Sequence, residues 1–250
     1  MKITQRQKEL IDRLDQDQNN SDTIYKPGPY WSFKCKKSKE WIIKNGFKDF
    51  RGLNSPVGTS YADNLILDKR NEFGFNIKSR ILKKITNLPI IKRLYENQVK
   101  LTKSHIDSYL TYRNYIFQNS ERVKYLLSKY KIKDSTLFDS VKNFKYNNEI
   151  YACLYLENLD KVDEINKLID FKNVKSVFEI GGGFGSNIHI LLQNFENIKK
   201  VIYLDISPNI FIGTEYLRHF YNEAVIDYLD SNDKEIKFSD NDKLEIFCIT

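Results

Sequence analysis

Leu10, Ile11 and Leu14 fall on one face of a helix, and the spacing predicts a short amphipathic helix over residues 3–17. Pro27, Gly28 and Pro29 then interrupt any regular pattern. The aromatics beside them, Tyr25, Tyr30 and Trp31, read as a loop pinned onto a core, with a substrate-facing aromatic loop as the competing reading. A second short helix is expected over 38–45, and a long irregular stretch over 46–63. From Asn76 to Ser120 the pattern is helical, with Ile77, Ile81, Ile85 and Leu88 about four apart. Pro89 breaks or kinks it, and it resumes through Ile91, Leu94, Tyr95, Ile106, Tyr109, Leu110 and Phe117. Ser120 and Asp134 read as N-caps of two more helices. A helix near 160–170 is expected to bury Val162, Ile165, Leu168 and Ile169.

After Phe171 the texture changes. Residues 176–180 form a β-branched apolar run, followed by glycines and then by Ile188, Leu191, Leu192 and Phe195 at helical spacing. A second strand is expected in "KVIYLDI". Ser207 as N-cap and Pro208 as first helical residue predict the helix after it. Residues 224–229 read as a third strand and 243–250 as a fourth. Strands alternating with helices predict an α/β parallel sheet over 172–250, preceded by a mainly helical region over 1–171 that serves as a substrate cap or oligomerisation unit.

Composition adds limits. The 250-residue chain carries a net charge of +7, which admits an acidic partner. Its lysines are scattered, densest at Lys34, Lys36, Lys37 and Lys39, so the charge reads as a compositional bias and a nucleic-acid partner is not expected. Three cysteines, Cys35, Cys153 and Cys248, lie far apart, without metal spacing or a disulfide framework. A reducing cytoplasm fits that pattern. The N-terminus has no apolar core of a signal peptide, and no run approaches the roughly 18 apolar residues of a membrane span.

Four of the ten glycines fall between positions 181 and 185. They follow a strand and precede a helix, where open α/β sheets bind ligands and where helix N-termini present unpaired N–H groups. Gly181 and Gly183 match the dinucleotide pattern G-x-G-x-x-G, but Ser186 stands in its third position. The spacing here is Glu179-x-Gly181-x-Gly183-x-Gly185, with Gly182 between.

"VFEIGGGFG" resembles motif I of class I S-adenosylmethionine-dependent methyltransferases. The resemblance implies a Rossmann-like methyltransferase sheet. It implies that Gly181, Gly182, Gly183 and Gly185 pack against the methionine part of the cofactor, and that Glu179 holds the loop or the cofactor's amino group. It also implies an acidic residue at the end of the second strand gripping both ribose hydroxyls, which Asp205 in "VIYLDIS" supplies. Together with "IYLDISP" and "EYL" (215–217), the stretch is similar to sugar O-methyltransferases of bacterial surface-polysaccharide gene clusters. That similarity covers 174–217, with "YKPGPYW" only loosely similar. It implies S-adenosyl-L-methionine as cofactor and a small-molecule or glycan acceptor.

Methyl transfer to a sugar hydroxyl benefits from a general base, and none stands out. His189 lies in the helix after the loop and reads as packed or exposed, with a cleft-facing position as the alternative; His105 and His219 read as structural or surface residues. Asp227 and Asp230 follow the third strand, where this fold often contacts the adenine, but a solvated acidic loop explains Asp230, Asp233, Asp240 and Asp242 equally well. No metal site is expected. The sheet implied has seven strands, so a chain ending at Thr250 reads as truncated after the fourth. A methyltransferase acting on RNA or protein, a nicotinamide-dependent oxidoreductase and a non-catalytic binding protein stay open as alternatives.

Overall fold

Helix α1 (Gln5–Asn20) opens with a reciprocal cap: the Thr4 hydroxyl accepts the Gln7 N–H at 3.2 Å, and the Gln7 side chain accepts the Thr4 N–H at 2.8 Å. Leu10, Ile11 and Leu14 are buried, as their spacing predicts. Residues 3–52, 55–57, 119–140, 143–231 and 235–250 are described by this computed structural model. The helical pattern expected over 76–118, and His105 with it, lies outside the described residues, as do residues 53–54 and 58–63 of the expected irregular stretch and Asp233.

Helix α2 (Pro29–Asn45) starts nine residues before the expected 38–45. Pro29 sits in its first turn, where the missing N–H costs nothing and the fixed φ suits a helix. Proline therefore begins structure here instead of forbidding it. Tyr25, Tyr30 and Trp31 are exposed, not pinned onto a core.

Helix α3 (Glu121–Lys129) takes Ser120 as its N-cap, the hydroxyl accepting from Val123 N–H. Asp134 caps no helix; it stands at a left-handed φ of 55° at the start of a turn. A hairpin that the sequence reading omitted follows: β1 (Asn143–Tyr146) pairs antiparallel with β2 (Glu149–Ala152). Its two-residue turn, Asn147-Asn148, has φ of 47° and 68°, which asparagine tolerates better than most residues. Helix α4 (Cys153–Ile169) starts directly after β2 and is longer than expected. Val162 is buried, but Ile165, Leu168 and Ile169 are exposed. The buried stripe runs instead through Tyr155, Leu156, Leu159 and Val162 against helices α3 and α5 (Ser186–Asn194). Asp163 ties α4 to α3 through ion pairs with Arg122 at 2.8 Å and Lys129 at 2.7 Å.

The second half is a mixed α/β unit around a parallel four-stranded sheet. Its strands are β3 (Ser176–Ile180), β4 (Lys200–Leu204), β5 (Val225–Ile226) and β6 (Glu245–Ile249). The third strand is only two residues of the expected six. The order is β3-β4-β6-β5. The classic dinucleotide-binding order keeps the first strand between the second and fourth. Here the second lies between the first and fourth, and among the described residues β3 stands at the edge.

Register sorts the side chains. Val177, Val201, Ile246 and Val225 align on one face, followed by Glu179, Tyr203 and Cys248. That face joins one buried cluster with Ile188 and Ile190 of α5, Phe211 and Ile212 of helix α6 (Asn209–Tyr221), and Leu10, Ile11 and Leu14 of α1. On the other face Phe178 and Ile180 are exposed at the β3 edge, while Phe238 covers Phe247 at 5.2 Å. All three cysteines are free thiols. No helix among the described residues is long and apolar enough to cross a membrane.

Candidate functional site

Adjacent parallel strands bring the two predicted motifs together. Ile180 pairs with Leu204, so the glycine turn after β3 and Asp205 after β4 emerge side by side. Gly181 N–H extends the ladder to Leu204 O at 2.8 Å, and Gly185 N–H closes the turn on Gly182 O at 3.1 Å. Gly181, Gly183 and Gly185 have φ of 71°, 67° and 84°, where other residues are strained. At Gly182 a Cβ would meet the Glu179 carboxyl carbon at 2.5 Å, so a larger residue there would displace the Glu179 carboxylate.

Asp205 locks the turn. Its Oδ2 accepts Gly183 N–H at 2.8 Å and its Oδ1 accepts Ile206 N–H at 2.7 Å. Burial pushes its pKa up, against the lowering by those N–H groups and by Asn209. Glu179 Oε1 accepts from Asn187 Nδ2 at 2.7 Å, while its Oε2 is buried without a partner. Burial raises the Glu179 pKa, and the charge of Asp205 adds to this. Two carboxylates therefore converge on one glycine turn, short of cationic or hydroxyl partners.

The sequence reading missed the residues that hold the turn from beneath. Tyr203 donates its hydroxyl to Gly183 O at 2.5 Å. Phe184 turns inward against Phe50 and Tyr216, with ring centroids 5.5 and 5.0 Å away. The Arg51 guanidinium lies 5.0 Å from the Phe184 ring and donates to the Ser135 and Leu137 carbonyls at 2.7 and 2.9 Å. Asn158 of α4 donates to the Ser186 hydroxyl at 3.0 Å, anchoring the start of α5. Tyr203 had a sequence signal: strand alternation puts it on the same face as Glu179 and two residues before Asp205.

Helices α1 and α2 wall the Asp205 side. Gln18 accepts Ser207 N–H at 2.9 Å, Asp15 accepts the Ser207 hydroxyl, and Lys39 of α2 pairs with Asp15. Ser207 is thus committed to α1 and does not cap α6, whose cap position is Pro208. The Cys35 thiol is pushed up to about 11 by burial, with the charges of Asp205 and Asp15 adding to it.

The other candidates lie elsewhere. His189 is buried, stacked 3.8 Å from Phe220, with Nδ1 2.9 Å from the Tyr221 hydroxyl. Burial holds its pKa down at about 4, so it is a neutral core histidine. His219 is exposed, with its ring edge-on to Phe138 and Phe220. The Asp227 carboxylate is buried between Arg6 at 2.8 Å and Arg218 at 2.7 Å, and Arg6 also pairs with Asp230. A cavity of about 400 Å³ opens there between Arg6, Arg218 and Glu215, with none of the glycine-turn residues in its wall. Among the described residues no group of three or more His, Cys, Asp or Glu is placed to hold a metal ion.

No family model matches this chain, and neither a curated protein nor a solved structure matches it.

Proposed function

We propose that the glycine turn binds S-adenosyl-L-methionine and that the chain is an O-methyltransferase whose acceptor is a sugar hydroxyl. The observation that carries this reading is the pair of carboxylates on the turn, Asp205 bound to Gly183 N–H and Glu179 with a buried unpartnered oxygen. A pyrophosphate would need the turn's N–H groups, and Gly183 N–H is already taken by Asp205. The pair suits a ligand bearing an ammonium, a sulfonium and a ribose diol.

The residues present fit such a ligand. Glu179 Oε2 would accept from the ammonium and so gain its missing partner. Asp205 Oδ2 accepts Gly183 N–H and keeps a second lone pair for a ribose hydroxyl, while Oδ1 is already engaged by Ile206 N–H and, at 3.4 Å, by Asn209 Nδ2. Cβ atoms built on Gly181 and Gly183 would meet nothing within 4 Å, so backbone is open to close approach on that side. When bound, the cofactor supplies a methyl group already activated on a sulfonium. The chain's own contribution is positioning: a turn held from below by Tyr203 and Phe184 and from the side by α1 and α2. His189 does not serve as the base, since its ring is closed into the core. The sugar acceptor and a cytoplasmic role in surface-polysaccharide synthesis follow the resemblance of residues 174–217.

Thermal unfolding with added S-adenosylhomocysteine or NADH tests the cofactor. Stabilisation by the first and not the second is expected. Stabilisation by NADH alone would replace this reading with that of an oxidoreductase.

A further inference from the structure

The α1–α2 hairpin ends in a tip whose apolar residues all point into solvent. Ile24 is 81% exposed, Tyr25 70%, Tyr30 53%, Trp31 51% and Phe33 57%. Five large apolar side chains within ten residues, each more than half exposed, exceed the scattered surface hydrophobics of an ordinary domain. Lysines surround them: Lys26, Lys34, Lys36 and Lys37, against Asp22 as the tip's acidic residue over 22–37. Lys34 Nζ lies over the Tyr30 ring, 5.6 Å from its centre, and Lys37 Nζ over the Phe33 ring at 4.3 Å, so positive charge sits directly against the exposed aromatics.

We propose that this tip docks onto an anionic lipid bilayer, with Ile24, Tyr25, Trp31 and Phe33 entering the interface and the lysines meeting the headgroups. Trp and Tyr favour the headgroup level, where an apolar ring and a polar edge are both satisfied, and basic residues add attraction to acidic lipid. A stack of nucleic-acid bases suits the tip less well. Ile24, the most exposed of the five, has no π-face, and Tyr30 and Trp31 meet edge-on at 79°, which gives no parallel platform. The docking does not depend on which cofactor the turn binds.

The full chain has two tryptophans, so a Trp41→Phe protein reports on Trp31 alone. It is mixed with vesicles of phosphatidylcholine, or of phosphatidylcholine with phosphatidylglycerol, without cofactor. A blue-shifted Trp31 emission and co-sedimentation with the anionic vesicles are expected, weakening as salt is raised. Trp31→Ala with Phe33→Ala should weaken binding at least about tenfold. Lys34→Gln with Lys37→Gln should weaken it about fivefold per lysine and flatten the salt dependence. Trp31, Phe33 and Lys37 are exposed and Lys34 and Trp41 half-buried, so each variant is compared only after its circular dichroism spectrum is shown to match the parent's. No binding to anionic vesicles at low salt, equal binding to both vesicle types, or tighter binding to single-stranded RNA than to vesicles would each overturn the proposal.

Discussion

Acidification tests whether His189 is closed into the core. Its ring lies between Phe220 and the Tyr221 hydroxyl, and burial holds its pKa at about 4 against an ordinary 6.5. The unfolded chain takes up this proton near 6.5 and the folded chain only near 4. The stability this neutral histidine contributes is therefore present in full above about 6.5 and is lost as the pH falls toward 4. The interval from 6.5 to about 4, at about 1.36 kcal/mol per pH unit, amounts to about 3 kcal/mol. The assay is urea unfolding followed by circular dichroism from about pH 7.5 to about pH 4.5, for the parent chain and for His189→Gln. The variant should lose about 1–2 kcal/mol at the upper pH, through imperfect packing. Its stability should then fall less on acidification, by about 2–3 kcal/mol. Glu179 and Asp205, whose pKa values are raised, work in the opposite direction, but both proteins share them and the difference removes them. Parallel pH profiles would show that His189 protonates freely in the fold and would restore it as a reachable base.

Glu179→Gln removes a carboxylate that the fold raises in pKa. Such a group lowers stability above its unfolded pKa and returns it as the pH falls, so the ligand-free variant should equal or exceed the parent at neutral pH while binding S-adenosylhomocysteine about tenfold more weakly. A destabilised variant with parental affinity would contradict this. In Gly213→Ala the new Cβ would fall on the Tyr203 hydroxyl and ring, forcing Tyr203 away from Gly183 O. A loss of about 2–3 kcal/mol in urea unfolding, with weaker ligand binding, is expected; parental stability would show that Tyr203 is not pinned. Vesicle co-sedimentation checks the lipid-facing tip as described above.

Much of the sheet and its turn was legible because its signals are local. The apolar run 176–180, the alternating glycines and Asp205 sit where the strand–turn–helix pattern puts them, and parallel pairing of β3 with β4 joins them. Strand order was not legible, since periodicity carries no information about which strand lies beside which. Nor was the short β5, whose two residues give no periodic signal. The hairpin β1–β2 was missed because its strands are four residues each, although Asn147-Asn148 between Tyr146 and Glu149 carries the turn chemistry. Helix α4 shows the limit of counting apolar residues. Leu168 is 85% exposed although it fits the stripe, because neighbouring helices α3 and α5 meet another face. Pro29 has the chemistry of a breaker yet begins a helix, and Ser207 has that of a cap yet its hydroxyl is held by Asp15 of a distant helix.

The central claim is that Asp205 and the glycine turn bind S-adenosylmethionine. Calorimetric titration of the parent chain and of Asp205→Ala with S-adenosylhomocysteine tests it most directly. Saturable binding by the parent, weakened about 10- to 100-fold in the variant through loss of charge-assisted hydrogen bonds of about 1.5–3 kcal/mol, is the expected result. No heat from the parent at high micromolar ligand, or equal affinity in both proteins, would contradict the claim.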